Sequence, residues 1–168
     1  AYAEIYGLTY TIVRYGSLNG RRANEWNLVH RLLTEALTTG TLTYDGDGSE
    51  LREFIHVDDA ARYTVKLLEP AYENQHVILS GVQQMRMSDF LTLVREITNR
   101  DVDIRLLGQG LQGRHRVTPY SFKQAVARRI ALDHYVDLGQ GILDCLHGLS
   151  EERRTLAVGR TDGATRAR

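Results

Sequence analysis

Apolar positions recur along this chain in two rhythms: short runs of strand formers, and longer stripes spaced three or four residues apart. Ala1–Tyr6 reads as the last turns of a helix closed by Gly7, the residue that tolerates a left-handed C-terminal position, so the chain begins mid-element. Tyr10–Tyr15 is a strand and Gly16–Arg22 a polar loop after it. Trp26–Thr39 carries Val29, Leu32, Leu33, Ala36 and Leu37 at helical spacing, with Gly40 closing it. Thr41–Tyr44 and Leu51–Val57 are strands. Asp58 or Asp59 then caps a helix to about Leu68 that buries Ala61, Val65 and Leu68, and Pro70 stops it. His76–Leu79 is a continuous apolar run, as in a strand buried on both faces. Ser88 caps a helix burying Phe90, Val94 and Ile97, and Val102–Leu107 alternates as a strand. Ser121 with Gln124, and Asp137 with Gln140, have capping-box spacing. The first helix should reach Ile130, and the second should bury Leu138, Ile142 and Cys145 and end at Gly148. Ser150–Arg168 has five arginines and little apolar content, which reads as a disordered tail.

Strands alternating with helices predict an α/β fold with parallel pairing. At 168 residues with 42% apolar and 25% charged side chains, the chain fits one domain, and its zero formal net charge gives no reason to expect nucleic acid or a membrane surface as a partner. Cys145 is the only cysteine, which excludes an internal disulfide and suits a reducing compartment, with the cytoplasm as the expected location. No apolar run approaches the roughly 20 residues of a membrane helix. His56, His76 and His115 lack metal-ligand spacing, so no metal is expected.

The densest chemistry lies in Gly46–Ala61, where a glycine turn feeds the Leu51–Val57 strand. Arg52 stands beside that turn. It is either a surface cation paired with Glu53 or Asp47, or a guanidinium that grips an anion approaching over the glycines. Ser17 and Asn19 follow a strand end, where open α/β sheets place ligands, and they are equally readable as turn formers. Gly108-Gln-Gly-Leu-Gln-Gly113 matches a dinucleotide fingerprint after a strand. Arg114–Pro119 is basic and holds a proline where the helix should open, so no cofactor is assigned there. Arg114, His115 and Arg116 form a cationic loop, either solvated or closing over a phosphorylated ligand.

Gly46-Asp-Gly48 through Arg52-Glu-Phe-Ile-His-Val-Asp-Asp59-Ala resembles the GxG…RDFIHVxDxA segment of the NAD-dependent epimerase/dehydratase family, the extended short-chain dehydrogenases. Tyr6–Tyr15, Asn27-Leu28 and Tyr135–Ile142 resemble other stretches of its C-terminal half, and together the likeness covers about Ala1–His147. The resemblance implies the C-terminal part of a Rossmann-type parallel sheet plus a small α/β substrate-binding lobe over residues 1–148, with 149–168 as tail. It implies a nucleotide-sugar substrate held by Arg52 at its diphosphate and by Asn27 in the nucleotide turn, with Ser17 and Asn19 beside it. Ser17 departs from the family's asparagine in Arg-Tyr-x-Asn-x-Tyr-Gly-Pro. The resemblance also implies NAD, bound mainly by an N-terminal half that this sequence lacks, transient oxidation to a keto intermediate, and a homodimer in the full-length protein. The family's Tyr-x-x-x-Lys pair is missing: four residues before Lys66 and Lys123, the only lysines, stand Arg62 and Pro119. No catalytic residue is therefore assigned, and the fragment is expected to be inactive alone. The alternative is a non-catalytic module binding a nucleotide-sugar or a protein.

Overall fold

A computed structural model describes residues 2–82, 84–98, 101–108 and 127–165. Helix α1 (Tyr2–Tyr6) ends at Gly7, whose φ of 62° is the expected left-handed stop. β1 (Thr11–Tyr15) leads through Gly16 into β2 (Ser17–Asn19), then α2 (Leu28–Thr38), β3 (Thr41–Tyr44), β4 (Leu51–His56) and α3 (Val57–Lys66). A 3-10 turn at Pro70–Tyr72 precedes β5 (Gln75–Leu79), β6 (Gln84–Arg86), α4 (Met87–Thr98), β7 (Asp103–Leu106), β8 (Arg128–Arg129) and α5 (Leu138–Thr165).

The strands form three small sheets among the described residues: β1-β5-β8 and β3-β7, both parallel, and β2-β4-β6, in which β2 is parallel to β4 and β6 antiparallel. The architecture is the expected α/β one. β1 and β2 run in succession, so one stretch of chain serves two sheets, turning at Gly16 where its N–H donates to the Leu79 carbonyl (2.9 Å). β4 separates two cores because successive strand residues face opposite ways. Phe54 stacks on Phe90, with ring centroids 4.3 Å apart, in a core shared by α2, α4 and α5, whereas Ile55 packs with Tyr63, Leu67 and Val77.

Several expectations are corrected. Gly16–Arg22 is not wholly loop: Ser17-Leu-Asn19 is a strand because β4 supplies a parallel partner that local sequence does not reveal. The cap of α3 is His56, whose Nδ1 accepts from the Asp58 N–H (3.3 Å), and Asp58 and Asp59 sit in the first turn. Its buried stripe is Ala60, Tyr63 and Leu67, while Val65 and Leu68 are exposed. Both stripes have helical spacing, and the tertiary surface chose the one bearing the aromatic ring. Ser88 lies inside α4, its N–H given to the Gly48 carbonyl, rather than capping it. Arg128–Arg129 pairs in parallel with Val77–Ile78, so no helix reaches Ile130. α5 continues past Gly148 to Thr165. One glycine costs a helix about 1 kcal/mol, and the glutamates and arginines that follow are good helix formers. Gln109–Gly113, the Arg114–Arg116 loop and the Ser121/Gln124 box lie outside the described residues.

Candidate functional site

β4 organises the site because the chain on both sides of it gives up side-chain volume. A Cβ on Gly16 would stand 2.8 Å from the Glu53 carbonyl oxygen, and one on Gly81 would overlap the Phe54 carbonyl. This close approach packs β4 tightly against its neighbours, burying Glu53 and His56 and leaving Arg52 half-buried. Glu53, 2% exposed, is held by Arg129 through two bonds of 2.9 Å and by Gln84 Nε2 at 2.9 Å, while Arg129 also donates to Ser80 Oγ (2.6 Å). Burial pushes the Glu53 carboxyl up. The bonds from Arg129, Ser80 and Gln84, together with the Arg129 charge, outweigh burial and hold it below its ordinary value. The pairing of Arg52 with Glu53 weighed from sequence is therefore taken by Arg129.

Arg52 is half-buried and has no hydrogen bond or ion pair among the described residues, and its Nε is fully buried without a partner. A buried guanidinium N–H left unmade is expensive, so its position suits an anionic ligand. Ser17 stands opposite Phe54 in the β2–β4 register, two residues along β4 from Arg52. Asn27 is a helix cap. Its Oδ1 accepts from Val29 and His30 N–H (3.0 and 3.1 Å) and its Nδ2 donates to the Leu18 carbonyl (2.8 Å), pinning the start of α2 to β2. Asn19 faces α5 instead: a Cβ on Gly141 would come 2.5 Å from its Oδ1. The register thus sets Ser17 beside Phe54, two residues from Arg52, while the α2 turn and Asn19 lie toward the His56 end of β4.

Asn19 belongs to a second polar cluster. His56 accepts at Nδ1, so its proton is on Nε2, which lies 4.0 Å from Asp144 Oδ2. The Cys145 thiol donates to the Gly20 carbonyl (3.1 Å) and accepts from its N–H (3.2 Å). Burial pushes that thiol up; the Gly20 N–H opposes the rise and the Asp144 charge adds to it, leaving an unreactive cysteine. Asp59, 1% exposed, accepts from the Val136 N–H (2.7 Å) and ties α3 to the lead-in of α5. Asn19 and His56 line a cavity of about 60 Å³ with Val82, Tyr135 and Leu138. That volume holds a few waters and is far below the roughly 300 Å³ of a nucleotide-sized pocket.

Sequence reasoning missed Glu50, Tyr44 and Arg129. Glu50, two residues before Arg52 in the same extended run, had a local signal; Arg129, 76 residues from Glu53, had none. The starts of α2, α3 and α5 do not fit the pyrophosphate of a dinucleotide. α2 and α3 open on the side-chain caps Asn27 and His56, and α5 opens on Asp137, whose carboxylate takes the Gly139 N–H (2.8 Å) and repels an anion. No described helix is long and apolar enough to cross a membrane.

Residues 1–81 match the model of the NAD dependent epimerase/dehydratase family. A dTDP-4-dehydro-6-deoxy-D-allose reductase of Streptomyces bikiniensis is 30% identical over 108 residues, 61% of this chain and 32% of its own length. A putative UDP-glucose 4-epimerase of Methanocaldococcus jannaschii is 21% identical over 92% of this chain and 50% of its own. Among solved structures, UDP-glucuronic acid 4-epimerase of Bacillus cereus, in complex with NAD and a fluorinated UDP-sugar, superposes with a TM-score of 0.75 at 22% identity. That match covers 89% of this chain and 48% of that one, so the likeness is one of fold. The chain spans about a third to a half of the length of these relatives.

Proposed function

We propose, from the family match over residues 1–81 and the fold shared with solved epimerases, that the chain belongs to the NAD-dependent epimerase/dehydratase family and is the substrate-binding portion of a nucleotide-sugar epimerase or dehydratase. Residues 1–148 make up this portion. Arg52 holds the substrate diphosphate, the α2 turn at Asn27 borders the nucleotide and Ser17 faces the sugar. NAD and the Tyr-x-x-x-Lys pair that would oxidise the sugar transiently are supplied by residues outside this sequence, so this chain alone does not turn over. The observation that carries the reading is the guanidinium of Arg52, buried at Nε, unpartnered among the described residues and set beside the Gly46–Gly48 turn. The absent Tyr-x-x-x-Lys favours a second reading, a non-catalytic nucleotide-sugar binder. It shares the same site and differs only in showing no turnover when an NAD-binding family portion is added.

Calorimetric titration with UDP tests the site. Arg52→Ala should weaken binding by about 10- to 100-fold, the worth of charge-assisted bonds to phosphate. Equal affinities in wild type and variant would remove Arg52 from the site.

A further inference from the structure

Resting on Arg52 as the diphosphate anchor, we propose that Glu50 reads the ribose of the bound nucleotide, accepting hydrogen bonds from its furanose hydroxyls. Glu50 is only 8% exposed, yet its Oε2 is fully buried with no partner among the described residues. A carboxylate is an acceptor when ionised, and burying one without a donor is costly, so a site that keeps one is built to receive a donor.

The backbone places Glu50 and Arg52 together. The β4–β6 register pairs Leu51 with Arg86 and Arg52 with Met85, and the Met87 N–H donates to the Glu50 carbonyl at 2.9 Å, so the ladder continues through Glu50. Residues two apart on a strand share a face and stand about 7 Å apart. One face therefore presents a cation and a carboxylate that have no partner among the described residues and do not pair with each other. That span reaches from a phosphate across one furanose ring to its hydroxyls; the N–H groups of a base lie farther away. Vicinal hydroxyls are donors that a carboxylate can take in pairs, the chemistry by which acidic residues elsewhere hold ribose.

The glycine turn is shaped around this carboxylate. A Cβ on Gly46 would overlap Glu50 Oε1 and stand 2.6 Å from Tyr44 Cε1, so only glycine leaves room for the two side chains to meet. Tyr44, 1% exposed, walls the spot, and its buried hydroxyl is also without a partner among the described residues.

The test titrates the full chain, as wild type and Glu50→Ala, with UDP and with 2′,3′-dideoxy-UDP. Wild type should bind the dideoxy nucleotide about tenfold more weakly than UDP, the ratio given by one bond to a charged group. Glu50→Ala should lose about tenfold for UDP and bind the two nucleotides alike, with an unchanged or raised melting temperature because an unpaired buried carboxylate is gone. Persistent discrimination in Glu50→Ala, or a melting temperature lowered by more than a few degrees, would mark Glu50 as structural and overturn the inference while leaving Arg52 untouched. Absence of UDP binding to wild type would overturn both.

Discussion

Arg129→Ala should destabilise the fold by about 3 kcal/mol, the low end of the cost of breaking a buried ion pair. Glu53 is the reason: it is 2% exposed and takes two Arg129 bonds of 2.9 Å, so the variant leaves a buried carboxylate with only its neutral partners. The cost sits at the low end because the Arg129 side chain is 42% exposed, so water enters when it is cut back, and the Gln84 bond survives. The effect depends on pH with a definite sign. The folded-state value for Glu53 is depressed, so its contribution is complete above the ordinary 4.5 and is lost as pH falls through the folded value. Urea unfolding of both proteins at pH 7 and pH 3 should show a gap that narrows in acid. A gap that stays constant would mean that the pair does not stabilise the fold through ionised Glu53.

Gly81→Ala should cost at least as much, about 3 kcal/mol or more, by overpacking. The added methyl would land on the Phe54 carbonyl oxygen, and this is main chain paired with Ser17 of β2, so no rotamer change relieves it. Gly148→Ala is the natural contrast, because a Cβ there meets nothing within 4 Å and α5 is helical at that point. It should raise stability by up to about 1 kcal/mol. Thermal melts of the two variants should therefore move in opposite directions. A Gly81→Ala melt unchanged from wild type would show that β4 does not run so close to that turn.

These two effects show where sequence reasoning holds and where it stops. The Gly46–Ala61 stretch was legible because glycine turns, a β-branched and aromatic run and a lone arginine are all local signals. α1, α2 and the Asp137 start of α5 were legible for the same reason, since caps and left-handed glycines act within a few residues. β2 was not, because three residues, Ser-Leu-Asn, are too few to show a period and become a strand only beside β4. The α3 stripe was misread because Val65 and Leu68 offered a second face at equal spacing, and the cap because histidine seldom serves as one. The Glu53–Arg129 pair and the crowding of Gly81 against Phe54 join distant segments and exist only in three dimensions. Arg52 stood out by its place beside the glycine turn, while the engagement of its acidic neighbour Glu53 by Arg129 needed the structure.

The proposed diphosphate site requires the buried Nε–H of Arg52 to meet a phosphate. Arginine side-chain NMR observes that group directly: the Arg52 Nε–H signal, assigned by its loss in Arg52→Lys, should shift progressively as UDP is added and saturate with the calorimetric affinity. A signal that stays fixed while UDP binds would place the diphosphate away from Arg52.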